Sequence, residues 1–229
     1  MNYEQMNNNK VILSGEIITE PAFSHSVYGE GFYEMKLKVK RLSEECDEIP
    51  VTLSERLIAD NDLKIGSRLS VTGQFRSYNK IIDNKSKLML TVFVRELIPE
   101  EAVENSNVIE LSGFICKPPI YRTTPFKREI ADILLAVNRA YNKSDYIPCI
   151  AWGRNARFAN VLNVGEKVSV SGRIQSRIYQ KKNEDGSVEN KTAYEVSICK
   201  LISEEQSSVQ FNHLERPENV NLYDGTTIV

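Results

Sequence analysis

Short segments in which apolar and polar residues alternate recur along the chain, with turn-forming residues between them. A period of two is the pattern of strands that bury one face. In the C-terminal half the predicted strands are Val108–Cys116, Ile130–Arg139, Tyr146–Trp152, Val168–Tyr179 and Thr192–Leu201. Between the third and fourth of these, residues 155–162 show the spacing of a short helix, and Gly165 follows as a stop signal.

The same pattern occurs twice in the chain. Residues 11–56 align without a gap on residues 109–154 at a constant offset of 98, and 12 of the 46 aligned pairs are identical, Asp47 and Asp145 among them. In the first copy, Glu55–Asp60 takes the place of the short helix. A repeat of this length indicates a duplicated domain rather than a solenoid of small repeats.

Five strands with a helix between the third and the fourth is the order of the OB fold, a small Greek-key barrel. The chain is therefore predicted to be mainly all-β, with two tandem five-stranded OB-fold barrels. The predicted domains are residues 1–97 and 107–202, joined by an acidic linker at 98–106 and followed by an acidic, flexible tail at 203–229. The glycines expected where strands bend to close the barrels are Gly15, Gly73, Gly113 and Gly172.

Charge is distributed unevenly along the chain, although the formal net charge is only −2. Residues 1–106 carry 13 Lys and Arg against 17 Asp and Glu, a net charge of −4. Residues 107–200 carry 15 against 9, a net charge of +6, and residues 201–229 carry 1 against 5, a net charge of −4. A basic block between two acidic ones suggests a polyanionic partner for the second unit.

The sequence gives no reason to expect an enzyme, a metal or a cofactor. His25 and His213 lie far apart and the four cysteines are scattered singly, so neither a catalytic triad nor a zinc site is predicted. We expect the cysteines to be buried thiols on strands. No apolar run approaches the roughly 18 residues of a membrane span. The N-terminus lacks the features of a secretory signal, so a cytoplasmic location is expected.

Aromatic and basic residues interleave in the second unit. Tyr146 and Trp152 share parity on their strand, which predicts that both lie on its outer face. Arg177 and Tyr179 share the outer face of the next strand, and Ile178 is expected to point inward. Flat rings for bases and cations for the backbone are what sequence-tolerant binding of single strands requires. The candidate DNA-binding residues are Tyr141, Tyr146, Trp152, Tyr179, Arg139, Arg154, Arg173, Arg177, Lys181 and Lys182.

The second unit resembles the bacterial single-stranded DNA-binding protein family from Leu111 to Leu201. The matching motifs are Ile133–Arg139, Tyr146–Ala156 and Val168–Ile174, in the family's order. The resemblance implies base stacking on four aromatics per domain, at the places held here by Tyr141, Tyr146, Trp152 and Tyr179. It also implies a non-enzymatic, nucleoid-associated protein that protects single-stranded DNA in replication, recombination or repair.

The first unit keeps the strand pattern of the second but not its aromatic set. By the internal alignment, Ser43, Glu48 and Ser54 stand at the places of the first three stacking aromatics. We therefore expect the first barrel to have a degenerate binding face and to serve mainly in assembly. A residual strand path would follow Arg41, Arg56, Arg76 and Tyr78.

The family's four OB domains per assembly imply that this two-domain chain forms a homodimer. Family members commonly end in an acidic tip, closing with Ile-Pro-Phe, that recruits replication enzymes. This sequence ends in Thr227, Ile228 and Val229, so the recruiting tip is absent. Replication or repair proteins stay open as partners, but not through that tip. Three alternatives remain open: a primosome or replication-restart factor with the same barrel, an OB-fold assembly protein, and an RNA-binding module.

Overall fold

The computed structural model describes residues 7–43, 45–82, 85–99, 106–182 and 187–204 of the 229-residue chain. The elements of the first barrel are β1 (Asn9–Ile17), β2 (Ala22–Val27), β3 (Glu30–Lys40), β4 (Cys46–Ser54), α1 (Glu55–Ala59), β5 (Arg68–Ile82) and β6 (Lys85–Leu97). Those of the second are β7 (Asn107–Ile115), β8 (Ile120–Thr123), β9 (Glu129–Arg139), β10 (Lys143–Trp152), α2 (Arg154–Ala159), β11 (Lys167–Lys182) and β12 (Val188–Ser203).

Alternation of apolar residues builds the core of each barrel. On β9, Ile133, Leu135 and Val137 are buried, and the residues between them are only partly covered. On β10, Ile147 and Cys149 are buried in the same way. Because successive strand residues point to opposite faces, one face of every long strand enters the core and the other faces outward.

The strand order confirms the OB fold in both halves. In the first barrel the neighbours run β3-β4-β6-β5-β1, and β1 also pairs with β3, which closes the sheet. The second barrel repeats this as β9-β10-β12-β11-β7, closed by β7 with β9. Helices α1 and α2 stand between the third and fourth long strands, as predicted.

Each barrel has a sixth, short strand that the hydrophobic pattern did not indicate. Strand β2 pairs with β3, and β8 pairs with β9. All six residues of β2 are exposed, and only one of the four in β8 is partly covered. These strands bury no face in the core, so their sequences carry no apolar alternation.

Gly73 and Gly172 stand at β-bulges where the barrel sheets bend. At Gly172 a Cβ atom would lie 2.2 Å from the carbonyl oxygen of Ser197, and at Gly73 it would lie 2.3 Å from that of Phe93. The strand register shifts beside both glycines. These positions exclude any side chain, because the neighbouring backbone fills its place.

An antiparallel pair of strands, β1 with β7, joins the two barrels into one 12-stranded sheet. In this pair Val11 lies opposite Ile109, and the two residues are also equivalent in the sequence repeat. Both side chains are fully buried. The junction is therefore a pseudo-two-fold contact between the duplicated halves, centred on these two residues.

A buried carboxylate of the first barrel crosses the junction. Asp47 accepts hydrogen bonds from Nε and Nη2 of Arg41 at 2.8 and 2.6 Å, and from the backbone N–H of Ser176 on β11 at 2.6 Å. Burial by itself raises the pKa of Asp47, but the hydrogen bonds from Arg41 and Ser176 outweigh it and hold that pKa below its ordinary value. Its stabilising contribution is therefore complete at neutral pH and is lost as the pH falls below about 4.

The second barrel makes the equivalent contact with the first barrel through Asp145, which corresponds to Asp47 in the repeat. Asp145 is buried and accepts a hydrogen bond from the backbone N–H of Ser77 on β5 at 2.8 Å, and Arg139 lies 3.2 Å from the same carboxylate. The hydroxyl of Ser77 in turn accepts a hydrogen bond from the backbone N–H of Tyr146 at 2.7 Å. Each barrel thus inserts one carboxylate against the fourth long strand of the other.

The predicted domain limits fall mainly on residues that lie outside the described part of the chain. Only the ends of the predicted linker are described, and the described part of the predicted tail stops at Glu204. Glu204 accepts a hydrogen bond from the hydroxyl of Ser112 at 2.8 Å and lies 2.7 Å from Nζ of Lys167. These contacts attach the end of β12 to the second barrel.

The expectation that all four cysteines are buried is wrong. Cys149 alone is buried, and burial raises the pKa of its thiol. Cys199 is exposed, because it is the extra residue at the bulge that faces Gly172. Cys46 and Cys116 are half-buried. Within the described ranges, no helix is long and apolar enough to cross a membrane.

The reciprocal carboxylates should stabilise the whole molecule. We expect Asp47→Ala to destabilise it by about 3 kcal/mol, because Arg41 and the Ser176 N–H would lose a buried acceptor. That corresponds to a Tm lower by roughly 6–12 °C, read by circular dichroism, with Asp145→Ala changing it in the same direction. Glu48→Ala removes only the exposed pair with Lys36 and should change stability by less than about 1 kcal/mol. An Asp47→Ala protein that melts with the wild type would contradict this assignment.

Candidate nucleic-acid interface

Strand register places three of the predicted aromatics and two of the predicted arginines of the second barrel on one face. Ile150 of β10 lies beside Ser197 of β12, and Ser197 lies opposite Arg173 of β11. Paired residues share a face, and so do residues two apart on one strand. Trp152 on β10 and Tyr179 on β11 therefore belong to one continuous outer surface.

The four predicted stacking aromatics are all accessible. Tyr146 and Trp152 on β10 and Tyr179 on β11 are each about two-fifths exposed, and Tyr141 is 83% exposed in the turn before β10. The parity argument for Tyr146 and Trp152 is thus confirmed. It is wrong for Ile178, which is 72% exposed, because the β11–β12 hairpin extends past the barrel at that point and has no core beneath it.

Arg177 is held beside Tyr179 on the β11–β12 hairpin. Its guanidinium lies 5.9 Å from the ring centroid, within the range of a cation–π contact. Its Nε is 3.8 Å from Glu195, which also accepts a 2.7 Å hydrogen bond from Gln175. The ring and the cation are therefore presented together, as a base and its phosphate require.

Two of the predicted arginines already have carboxylate partners at the barrel junction. Arg139 lies 3.2 Å from Asp145, and Arg173 lies 3.4 Å from Asp47 and donates to Gln175. Both arginine side chains remain about one-third exposed. They border the face, but part of their charge is neutralised by the contact that joins the barrels.

The other predicted cations lie at the ends of elements. Arg154 is the first residue of α2 and is exposed directly after Trp152. Lys181 and Lys182 are the last residues of β11, and only their backbone is described. Of the residual path expected on the first barrel, Arg41 is bound to Asp47 and Arg56 lies 3.2 Å from Glu30.

Tyr141 occupies a strained position that keeps its ring in solvent. The turn between β9 and β10 has φ of +63° at Tyr141 and +53° at Asn142. Gly, Asn and Asp are the residues that most readily adopt a positive φ. A bulky aromatic there is uncommon, and such outliers often accompany a functional role.

The face has the groups that are needed to hold a strand of nucleotides. It combines flat rings with guanidinium groups along β10, β11 and α2. Among the described residues, no group of three or more His, Cys, Asp or Glu side chains is arranged to hold a metal ion. Rings that stack on any base and cations that contact any phosphate give binding with little sequence preference.

Aromatic residues on the first barrel escaped the sequence analysis. Phe32 and Phe93 pack together there with their ring centroids 5.5 Å apart, and His25 stacks on Phe32. They do not occupy positions equivalent to the four stacking residues, so the internal alignment did not find them. The sequence could have indicated them only through the residues that pair across the sheet with the positions where the stacking aromatics are replaced.

Comparison with known proteins identifies the family. The sequence profile of the Single-strand binding protein family matches residues 106–202. Single-stranded DNA-binding protein 3 of Clostridium acetobutylicum is 33% identical over 135 residues, which cover 53% of this chain and 92% of that protein. The chain therefore belongs to the single-strand binding protein family.

Other relatives share a shorter stretch or the fold alone. Single-stranded DNA-binding protein 1 of Staphylococcus aureus is 38% identical over 87 residues, 35% of this chain, and the chain spans about half (51%) of that relative's length. The crystal structure of the wild-type single-stranded DNA-binding protein from Thermus aquaticus superposes with a TM-score of 0.66 at 21% identity. That match covers 85% of this chain and 92% of the Thermus chain, and it supports the tandem-barrel fold.

The strain at Tyr141 predicts an unusual order of stabilities. Tyr141→Gly should be more stable than Tyr141→Ala by about 1 kcal/mol, because only glycine adopts a positive φ without a steric penalty. At Lys143, whose φ is not positive, the order should reverse, since glycine has the greater entropy to lose in a strand. Urea unfolding of the four variants measures both differences. Equal stability of the two Tyr141 variants would mean that the turn relaxes.

Proposed function

We propose that this protein binds single-stranded DNA without strong sequence preference, through the outer face of the second barrel. Bases stack on Tyr141, Tyr146, Trp152 and Tyr179, and cations around them contact phosphates. The protein protects exposed single strands during replication, recombination or repair and catalyses no reaction. The cytoplasmic, nucleoid-associated location expected from the sequence belongs to the same proposal.

The observation that carries this proposal is that three accessible aromatics share one face with two arginines, while Tyr141 is exposed in the turn before β10. Exposed aromatic rings are costly on a surface that binds nothing, because their apolar area remains in water. Family membership supports the same reading, and the named relatives are single-stranded DNA-binding proteins. Neither helix α1 nor α2 exceeds six residues, so the described chain presents no long helix of the kind that reads a duplex major groove.

Titration with oligo(dT) tests the proposal directly. Trp152 is the only tryptophan, so its fluorescence reports on the proposed face. We expect quenching with tight binding, much weaker binding to duplex, and no preference for oligo(U) over oligo(dT). The logarithm of the affinity should fall with the logarithm of salt, with a slope near −0.7 per phosphate contact. Equal affinity for duplex and single strands would disprove the proposal, and a preference for oligo(U) would favour an RNA-binding module.

Single substitutions should identify the stacking residues. Trp152→Ala and Tyr179→Ala should each weaken oligo(dT) binding by about 1–3 kcal/mol, the usual contribution of one base–aromatic stack. Val164→Ala is a matched control, since it truncates an exposed apolar residue at the opposite end of β11 from Tyr179. Anisotropy of a labelled oligonucleotide measures all three variants. If Val164→Ala weakened binding as much as Trp152→Ala, the face would be wrongly assigned.

Assembly into a homodimer is part of the proposal. The described strands leave β2 and β8 at the two ends of the 12-stranded order. Apolar side chains are exposed on or beside both edges: Phe23 and Val27 near one, Ile120 and Phe126 near the other. Edges with unpaired backbone groups and exposed apolar residues favour association with another copy.

Light scattering at micromolar concentration should give twice the 26.1 kDa chain mass. Replacing Ile120 and Phe126 together by Ser should shift the protein toward the monomer, because it removes apolar area from one edge. The double variant Val161→Ser/Val164→Ser, which alters exposed apolar residues next to α2, is the control and should leave the mass unchanged. A single-chain mass for the wild type would exclude the dimer.

A further inference from the structure

The first barrel carries a groove of about 740 Å³ at its boundary with the second. Strands β2, β3, β5 and β6 of the first barrel form its floor and one wall, and the β9–β10 turn of the second barrel contributes the other. Its volume lies within the roughly 300–1,000 Å³ that is typical of ligand sites. It is large enough for at least one nucleotide.

Flat groups lie in a row along this groove. The ring of His25 stacks on that of Phe32, with centroids 5.2 Å apart and an interplanar angle of 16°. The ring centroid of Phe93 lies 5.5 Å from that of Phe32, and the guanidinium of Arg76 lies 3.8 Å from the ring centroid of Phe93. Tyr78 also lines the groove, and more than a third of its surface is exposed. Together these groups form a surface on which bases can stack.

This row lies on the face that corresponds to the proposed DNA-binding face of the second barrel. Phe32 of β3 lies opposite Ser54, the equivalent of Trp152. Phe93 of β6 lies opposite Gln74, the equivalent of Arg173. The first barrel has therefore not lost the aromatic character of this face. The rings stand on the neighbouring strands instead of on β4.

Arg76 supplies a cation that forms no salt bridge with a described carboxylate, although Asp145 is near enough to raise its pKa. Its Nη2 donates to Gln74 at 3.0 Å, but its buried Nε has no hydrogen-bond partner among the described residues. Burial, and then the nearby charge of Arg139, lower the pKa of Arg76 to about 10, so the guanidinium remains charged at neutral pH. A buried guanidinium N–H without a hydrogen-bond acceptor is costly, and a bound phosphate would relieve that cost.

The groove is continuous with the proposed site on the second barrel. Tyr141, Arg139 and Lys143 line its second wall, so one turn borders both surfaces. Lys80 on β5 adds a further cation on the opposite side. A strand that stacks on Tyr141 would find, directly beyond it, more rings and the cation Arg76.

We propose that this groove is a second single-stranded DNA site, in which bases stack on His25 and Tyr78 at the open ends of this row while Arg76 contacts a phosphate. The strand passes into it from Tyr141, so one DNA molecule crosses both barrels. This inference rests on the proposed function of the second barrel. It replaces the expectation that the first barrel serves mainly in assembly.

The test uses the full chain and two lengths of oligo(dT). An oligonucleotide of about 10 residues fits one OB fold, and one of about 35 residues exceeds the reach of two. Quenching of Trp152 reports occupancy of the second barrel with either. His25→Ala and Tyr78→Ala should each weaken binding of the long oligonucleotide by about 5- to 100-fold and leave Trp152 quenching by the short one unchanged. Arg76→Gln should reduce the salt slope for the long oligonucleotide by about 0.7.

Tyr28→Ala is the matched control. Tyr28 is an exposed aromatic in the turn between β2 and β3, and it does not line the groove. It should bind both lengths like the wild type, and each variant must keep the wild-type melting temperature. As a test that needs no variant, photo-cross-linking with 5-iodouracil oligonucleotides should label His25 or Tyr78.

The outcomes separate this inference from the proposed function. A wild-type protein that binds neither oligonucleotide would disprove both. Normal binding of the long oligonucleotide by His25→Ala and Tyr78→Ala, with cross-links confined to the second barrel, would overturn the groove site alone. Weakened long-oligonucleotide binding with cross-links in the groove would establish it.

Discussion

The pairing of β1 with β7 is the contact on which the rest of the arrangement depends. It joins two closed barrels through an antiparallel pair whose centre is Val11 and Ile109. Because the pair has pseudo-two-fold symmetry, β4 of the first barrel contacts β11 of the second, and β10 of the second contacts β5 of the first. Asp47 and Asp145 occupy those two contacts, where each accepts a backbone N–H across the junction. A buried carboxylate without such partners is costly, so these contacts favour the observed orientation of the barrels.

Most of the fold could be predicted from the sequence, because strands that bury one face must alternate. The same parity placed Tyr146 and Trp152 outward. It could not indicate β2 or β8, which bury no face, and it misplaced Ile178, which lies where the hairpin leaves the barrel. The contact of Arg173 with Asp47 could not be predicted from the sequence either. Asp47 is 126 residues away in the sequence, and only the docking of the barrels brings them together.

In the first barrel, comparing only equivalent positions underestimates the number of aromatic residues on the outer face. Ser54 replaces the equivalent of Trp152, and that comparison alone suggests a bare face. A sheet surface is shared between strands, and Phe32 lies directly across from Ser54 on the same side. Phe32 is buried and packs on the half-buried Phe93, so both rings stabilise the barrel whether or not anything binds.

Charge, too, must be assigned side chain by side chain. The net charge of +6 on residues 107–200 includes Arg139 and Arg173, which are paired with buried carboxylates and hold the barrels together. Arg154 and Arg76 form no salt bridge with a carboxylate in the described part of the chain, and Arg76 belongs to the half with negative net charge. Screening over about 8–10 Å makes such local excess, rather than the total, the quantity that a phosphate responds to. The proposed path across both barrels therefore depends on these local cations and not on the net charge of either barrel.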